Sequence, residues 1–262
     1  MKKALLTIAV VIAALSTQAQ EGNFRVGLSG GVNSTWLMNK NVFDANDALD
    51  IAATFGGRFG VDAIYSFNEK IGVGVGFNFV SRNSQKYTGD NTGLDGDLTT
   101  KLNYFDIPLM LRLTSSGGTY FEIGPQFGFL TSAEESYEGD SLSTWDYDDV
   151  DIKNSFETTN IALVFGFGVD IDVTENIFIT TGLRLGYGFT DVTKEYKNDL
   201  EFYQDNPEAL TNNAYYLSTS AAQVDDKGKQ NYEKTSRVFG GLHIGVSYKF
   251  GKSKGTSTST PK

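Results

Sequence analysis

At 262 residues the chain is long enough to fold around its own interior, and its lack of cysteine excludes a disulfide framework, a thiolate metal site and a lipoprotein anchor. A formal net charge of -10 with no basic stripe argues against a nucleic-acid partner. Its 29 glycines, 13 tyrosines and 19 phenylalanines beside 4 prolines point to β structure packed closely on one face.

Met1 to Ala19 carries two lysines, an apolar run from Ala4 to Leu15, and Thr17-Gln18-Ala19 before Gln20. That is the pattern of a secretory signal cleaved after Ala19, and the run is too short for a transmembrane helix. Residues 20–250 are then expected to form one β domain. From Phe24, alternation sets Phe24, Val26, Leu28, Val32 and Trp36 against Arg25, Gly27, Ser29, Gly31 and Asn33, giving a first strand. A polar stretch with Asp44, Asp47 and Asp50 leads to a second strand near 55–66, and Phe67-Asn68-Glu69-Lys70 is a short turn. The third strand, Ile71 to Arg82, alternates most cleanly, with Ile71, Val73, Val75, Phe77 and Phe79 on one side. A Ser/Asn/Gly/Asp-rich loop runs to about Lys101.

The fourth strand, Asn103 to Leu113, contains Pro108, where a missing ladder donor predicts a bulge or an unpaired position. After a turn at Thr114 to Gly118 comes the fifth strand, Thr119 to Leu130, then a long acidic loop, Thr131 to Thr158. The sixth and seventh strands form a hairpin, Ile161 to Thr190. Its large residues Ile161, Leu163, Phe165 and Phe167 oppose Ala162, Val164, Gly166 and Gly168; Arg184 lies on the Gly/Thr side of the second arm. The longest loop, Asp191 to about Thr235, precedes an eighth strand ending at Phe250. The tail, 251–262, is Ser/Thr/Lys/Gly and is expected to be a disordered periplasmic segment.

Connections alternate long and short around eight strands, which is the plan of an all-β, antiparallel up-and-down transmembrane barrel with short periplasmic turns and long extracellular loops. A soluble eight-stranded barrel such as a lipocalin shares the period with the faces reversed. Volume favours the membrane form, since about five large side chains per strand would overfill so narrow an interior. Aromatics at strand ends (Trp36, Tyr65, Phe67, Tyr187, Phe189, Tyr248, Phe250) suit interfacial girdles.

The segments Asn103-Tyr104-Phe105-Asp106-Ile107-Pro108-Leu109-Met110-Leu111 and Phe121-Glu122-Ile123-Gly124-Pro125-Gln126-Phe127-Gly128 resemble the Pro-containing and Gly-Pro strands of the PorT-like outer-membrane β-barrel family of Gram-negative bacteria. Gly166 to Asp170 and Arg184 to Asp191 are similar to its later hairpin, which ends in a Gly-x-Thr-Asp corner. The resemblance spans Gln20 to Phe250 and implies an eight-stranded barrel in the outer membrane. It transfers no catalytic residue.

Facing the expected lumen are Arg25, Arg58, Asp62, Arg82, Asp106, Arg112, Glu122, Asp170, Arg184, Arg237 and Lys249. Mixed charges in a low-dielectric interior must pair. The candidate charge network comprises Arg25, Arg58, Asp62, Asp106, Arg112, Glu122, Asp170, Arg184 and His243. Counting from the short turns puts Arg25, Asp62, Arg112, Glu122, Asp170 and Lys249 at the periplasmic end, with Asp106, Arg184 and His243 nearer mid-barrel. His243, the single histidine, points inward and away from lipid, so no enzymatic role and no catalytic residue is expected.

Acids gather in the third long loop (Glu134, Glu135, Glu138, Asp140, Asp146, Asp148, Asp149, Asp151) and the fourth (Glu195, Asp199, Glu201, Asp205, Asp225, Asp226). Solvation of exposed loops explains them; divalent-cation binding is the alternative, but no twelve-residue EF-hand loop is present. No cofactor or metal is expected. Tyrosines in the same loops suit an extracellular or envelope protein partner. The reading is a plugged, non-enzymatic outer-membrane barrel in contact with membrane lipid, acting in envelope structure or surface interaction. The alternatives are an accessory of a secretion or transport system, which the family name implies, or a narrow pore.

Overall fold

The computed structural model describes residues 23–40, 49–89, 96–139, 146–194, 222–224 and 230–250. The expected signal segment, the tail and the acids of the fourth long loop lie outside these residues. Among the described residues there are twelve strands: β1 Asn23–Met38, β2 Leu49–Ala53, β3 Gly56–Ser66, β4 Ile71–Gly89, β5 Gly96–Thr114, β6 Thr119–Gly139, β7 Tyr147–Asp151, β8 Thr159–Asp172, β9 Ile177–Gly188, β10 Ala222–Val224, β11 Gln230–Tyr232 and β12 Ser236–Phe250.

Eight of them, β1, β3, β4, β5, β6, β8, β9 and β12, close a ring through antiparallel pairs, β1 lying against β12 and β4 against β5. Closure leaves no edge strand in the ring. Along β1 and β12 the register runs from Phe24↔Phe250 to Met38↔Ser236, so both ends of the ring's chain meet at the side of the short turns. Those turns are built from local chemistry. Asn68 Oδ1 accepts from the Lys70 and Ile71 amides at 2.8 and 2.9 Å. Thr174 Oγ1 accepts from the Asn176 and Ile177 amides at 3.3 and 3.0 Å. Gly118 adopts φ 81°, a left-handed conformation that glycine takes without a Cβ clash.

The faces divide as volume requires. Leu28, Val61, Phe77, Leu111, Phe127, Phe165, Leu185 and Ile244 point outward and are exposed, whereas Met110, Tyr120, Glu122, Gln126 and Val164 are buried inside. This is the reverse of a soluble barrel. Phe24 departs from the outward pattern: it is buried, with its ring centroid 6.2 Å from that of Phe250.

One expectation changes. The loops flanking the fourth and fifth predicted strands are in large part strand: β4 continues to Gly89, β5 starts at Gly96 and β6 reaches Gly139, with β7 paired on β6 and β2 on β4. Register also skips between 75–109 and 78–106, so Pro108 lacks a partner on β4, as expected, but no bulge forms there. The irregularities lie at Val80/Asn83 and Asn103/Tyr104, where the hairpins leave the ring. Bulges favour barrel rims because they bend a strand and raise its twist.

Candidate functional site: the barrel interior

Arg112, Glu122, Gly166 and Arg184 are consecutive partners across β5, β6, β8 and β9. Arg112 is 3.7 Å from Glu122, and Glu122 reaches across β8 to accept from Arg184 Nε at 2.5 Å. Gly166 makes that crossing possible, because a Cβ at this position would sit 2.6 Å from Glu122 Cγ. Asp170 accepts from Arg112 at 2.7 Å and pairs with Arg25 at 2.8 Å, while Thr180 donates to the same carboxylate at 2.7 Å. Arg184 approaches Asp62 to 4.0 Å, and Asp62 also receives a short hydrogen bond from Ser29. One connected group thus contains Arg25, Arg112, Asp170, Glu122, Arg184 and Asp62.

The same device recurs one row away. Tyr120, Gly168, Gly182 and His243 are partners across four strands, and the Tyr120 hydroxyl spans both glycines to His243 Nε2 at 2.9 Å. The partner is a phenol rather than the Ser or carboxylate a hydrolytic site would need. Arg112 lies 3.5 Å above the Tyr120 ring, joining this row to the ion pairs.

Asp106 forms a separate tier. It accepts from both terminal nitrogens of Arg237, at 3.3 and 3.2 Å, while the guanidinium lies 4.0 Å over the Tyr104 ring and 4.7 Å over Phe239. Arg237 belongs to the interior charges, although the candidate network left it out. Arg58 makes no ion pair among those described; its Nη2 donates to Asn78 Oδ1 at 2.9 Å. Lys249 is half-buried opposite Arg25 in register, and the side chain of Arg82 lies outside the described residues.

Arg184, counted nearer mid-barrel, thus bonds Glu122, counted nearer the periplasmic end, while Asp106 pairs with Arg237 apart from them. Counting from turns treats strands as upright, whereas barrel strands tilt, so residues sharing a row come from different distances along their chains.

Above Tyr104 an apolar cluster packs beside buried polar groups such as Gln85, Thr100, Glu135 and Thr235. Leu37, Val80, Leu98, Leu102, Tyr104, Leu130, Ala133, Ile152, Phe156 and Val192 form one buried cluster from β1, β4, β5, β6 and the segments after β7 and β9. The Gly-x-Thr-Asp corner fastens it. Thr190 Oγ1 accepts from the Ile161 amide at 3.0 Å, and Asp191 Oδ1 accepts from the Thr193 and Thr235 amides at 3.1 Å each. Nothing in the strand periods flagged Ile152, Phe156 or Val192; their one signal is apolar character within polar connections.

Among the described residues, three spaces between these features measure about 30, 30 and 20 Å³. Among the described acids of the third long loop, Asp148 and Asp149 are bound by Lys101 and the buried Glu135 accepts from the Tyr147 hydroxyl at 2.8 Å. No group of three or more His, Cys, Asp or Glu residues fit to hold a metal occurs among the described residues.

Gly166→Ala is expected to displace Glu122 and lower unfolding stability in micelles by about 1–3 kcal/mol. Gly30→Ala, whose Cβ would meet one backbone oxygen at 3.5 Å, should stay within about 0.5 kcal/mol. Equal urea midpoints for the two variants would contradict the crossing role of Gly166.

Residues 18–194 match a family described as outer membrane protein beta-barrel domain. No curated protein matches the chain. Among solved structures, the outer membrane protein OprG from Pseudomonas aeruginosa is similar at 14% identity, covering 89% of this chain and 97% of that one, with a TM-score of 0.40. The attachment invasion locus protein Ail of Yersinia pestis, in complex with the heparin analogue sucrose octasulfate, is similar at 12% identity, covering 87% and 99%, with a TM-score of 0.38.

Proposed function

We propose, from the premise that this chain belongs to the outer membrane protein β-barrel domain family, that it is a closed, non-enzymatic barrel of the cell outer membrane that holds a folded external β extension in place for envelope integrity or surface contact. The observation that supports this reading is the packing among the described interior side chains. Paired charges occupy one half, an apolar cluster occupies the other, and the spaces between them hold only one or two waters each. A lining so packed disfavours a route for solutes.

The protruding parts of β4, β5 and β6, with β2 and β7 beside them, supply the rigid surface that contact requires. Within the family we assign the chain to the PorT-like group on the Asn103–Leu111 and Phe121–Gly128 segments, which lie beside each other as β5 and β6. A secretion accessory is the second reading, and this assignment is what favours it.

Deletion of the gene is expected to sensitise cells to detergents and bile salts while protein secretion continues, with the wild-type chain restoring resistance. Lost secretion from an intact envelope would overturn the proposal in favour of the accessory reading.

A further inference from the structure

Below the apolar cluster five arginines, Arg25, Arg58, Arg112, Arg184 and Arg237, face the interior with four carboxylates, Asp62, Asp106, Glu122 and Asp170. Every carboxylate is engaged: Asp170 by Arg25 and Arg112, Glu122 by Arg112 and Arg184, Asp106 by Arg237, and Asp62 by Ser29 and Arg184. Arg58 is left with the neutral oxygen of Asn78. Glu135, another fully buried carboxylate, lies beyond Leu130 and Ala133 along β6, on the far side of the apolar cluster. Among these described side chains one positive charge is therefore in excess where an uncompensated charge is costly.

Three N–H groups point to where that charge is met. Arg58 Nε, Arg184 Nη1 and Arg237 Nε are buried without a hydrogen-bond partner, Arg184 Nη1 facing Asp62 only at 4.0 Å, and all three side chains line one cavity of about 30 Å³ beside Asn33, Asn78, Gln126 and the Arg237-bound carboxylate of Asp106. Arg237 is 0% exposed, so bulk solvent does not satisfy its Nε. One or two waters there could accept from the three donors but would leave the charge unbalanced. A monatomic anion accepts from every direction and balances five against four.

We propose that this cavity is a binding site for one halide-class anion, chloride under physiological conditions, held by Arg58, Arg184 and Arg237. The site follows from charge and unpartnered donors, so it stands whether or not the barrel conducts. Crystals of the full chain grown with sodium bromide in place of chloride are expected to show one anomalous bromide peak within reach of all three guanidinium groups. Water-like density without an anomalous signal, or bromide at the surface alone, would overturn the proposal.

In solution, the heat-modifiable band is expected to melt at a higher temperature in sodium chloride than in sodium gluconate of equal ionic strength, the difference saturating with chloride. Arg58→Gln should abolish that difference. A wild-type midpoint that responds equally to both salts reports screening alone and sinks the idea. If Arg58→Gln does not fold, the bromide experiment on the wild-type chain decides.

Discussion

Replacing Glu122 by leucine is expected to lower the unfolding free energy of the barrel in detergent micelles by about 3–5 kcal/mol, the cost of removing one partner from a buried ion pair. Glu122 is 2% exposed and is the acceptor between Arg112 and Arg184, so the substitution leaves Arg184 with only Asp62 at 4.0 Å and Arg112 with Asp170 alone. Removing Arg184 as well should recover part of the loss, since an apolar pair of similar bulk carries no stranded charge. A double-mutant cycle on urea midpoints measures the coupling. If Arg184→Leu and Asp106→Asn each leave stability unchanged, the charge network does not hold the interior together.

Phe165→Arg is expected to cost about 2–4 kcal/mol when folding is measured into lipid vesicles, and far less when Phe165→Leu is made. Phe165 stands near the middle of β8, flanked on the outer face by its register partners Ile123 and Leu185, with 42% of its surface exposed. An arginine there must reach the membrane interface from the centre of the apolar belt. The neighbouring position points the other way: Val164 is 0% exposed, packed inside with Met110, Ala162 and Phe239. Equal tolerance of arginine at 165 and of leucine there would contradict the assignment of the outer face to lipid.

Much of this architecture was legible in the period-2 pattern. Alternation fixed which residues of each ring strand face inward, and the volume of Phe77, Phe165 and Leu185 against Gly74, Gly166 and Gly186 fixed which face meets lipid. The inward charges were legible too, because an arginine or carboxylate on a small-residue face has nowhere else to go. Their pairing was not. Glu122 reaches Arg184 across an intervening strand, which requires both the register and the glycine that clears the way, and neither is encoded within one segment.

The apolar cluster was harder still. Leu98 and Leu102 belong to a stretch whose polar neighbours read as loop, and Phe156 is a lone aromatic among acids. The register irregularity at Asn103/Tyr104 also shifts the pairing of β5 with β6 as the hairpins leave the ring, a change that uninterrupted alternation does not anticipate.

The proposal of a closed interior is tested most directly by single-channel recording of the purified chain in planar lipid bilayers. Paired charges below and the Leu37 to Val192 cluster above predict a flat baseline, with no defined conductance steps at neutral pH at either voltage polarity. Discrete, reproducible steps from folded, heat-modifiable protein would contradict it.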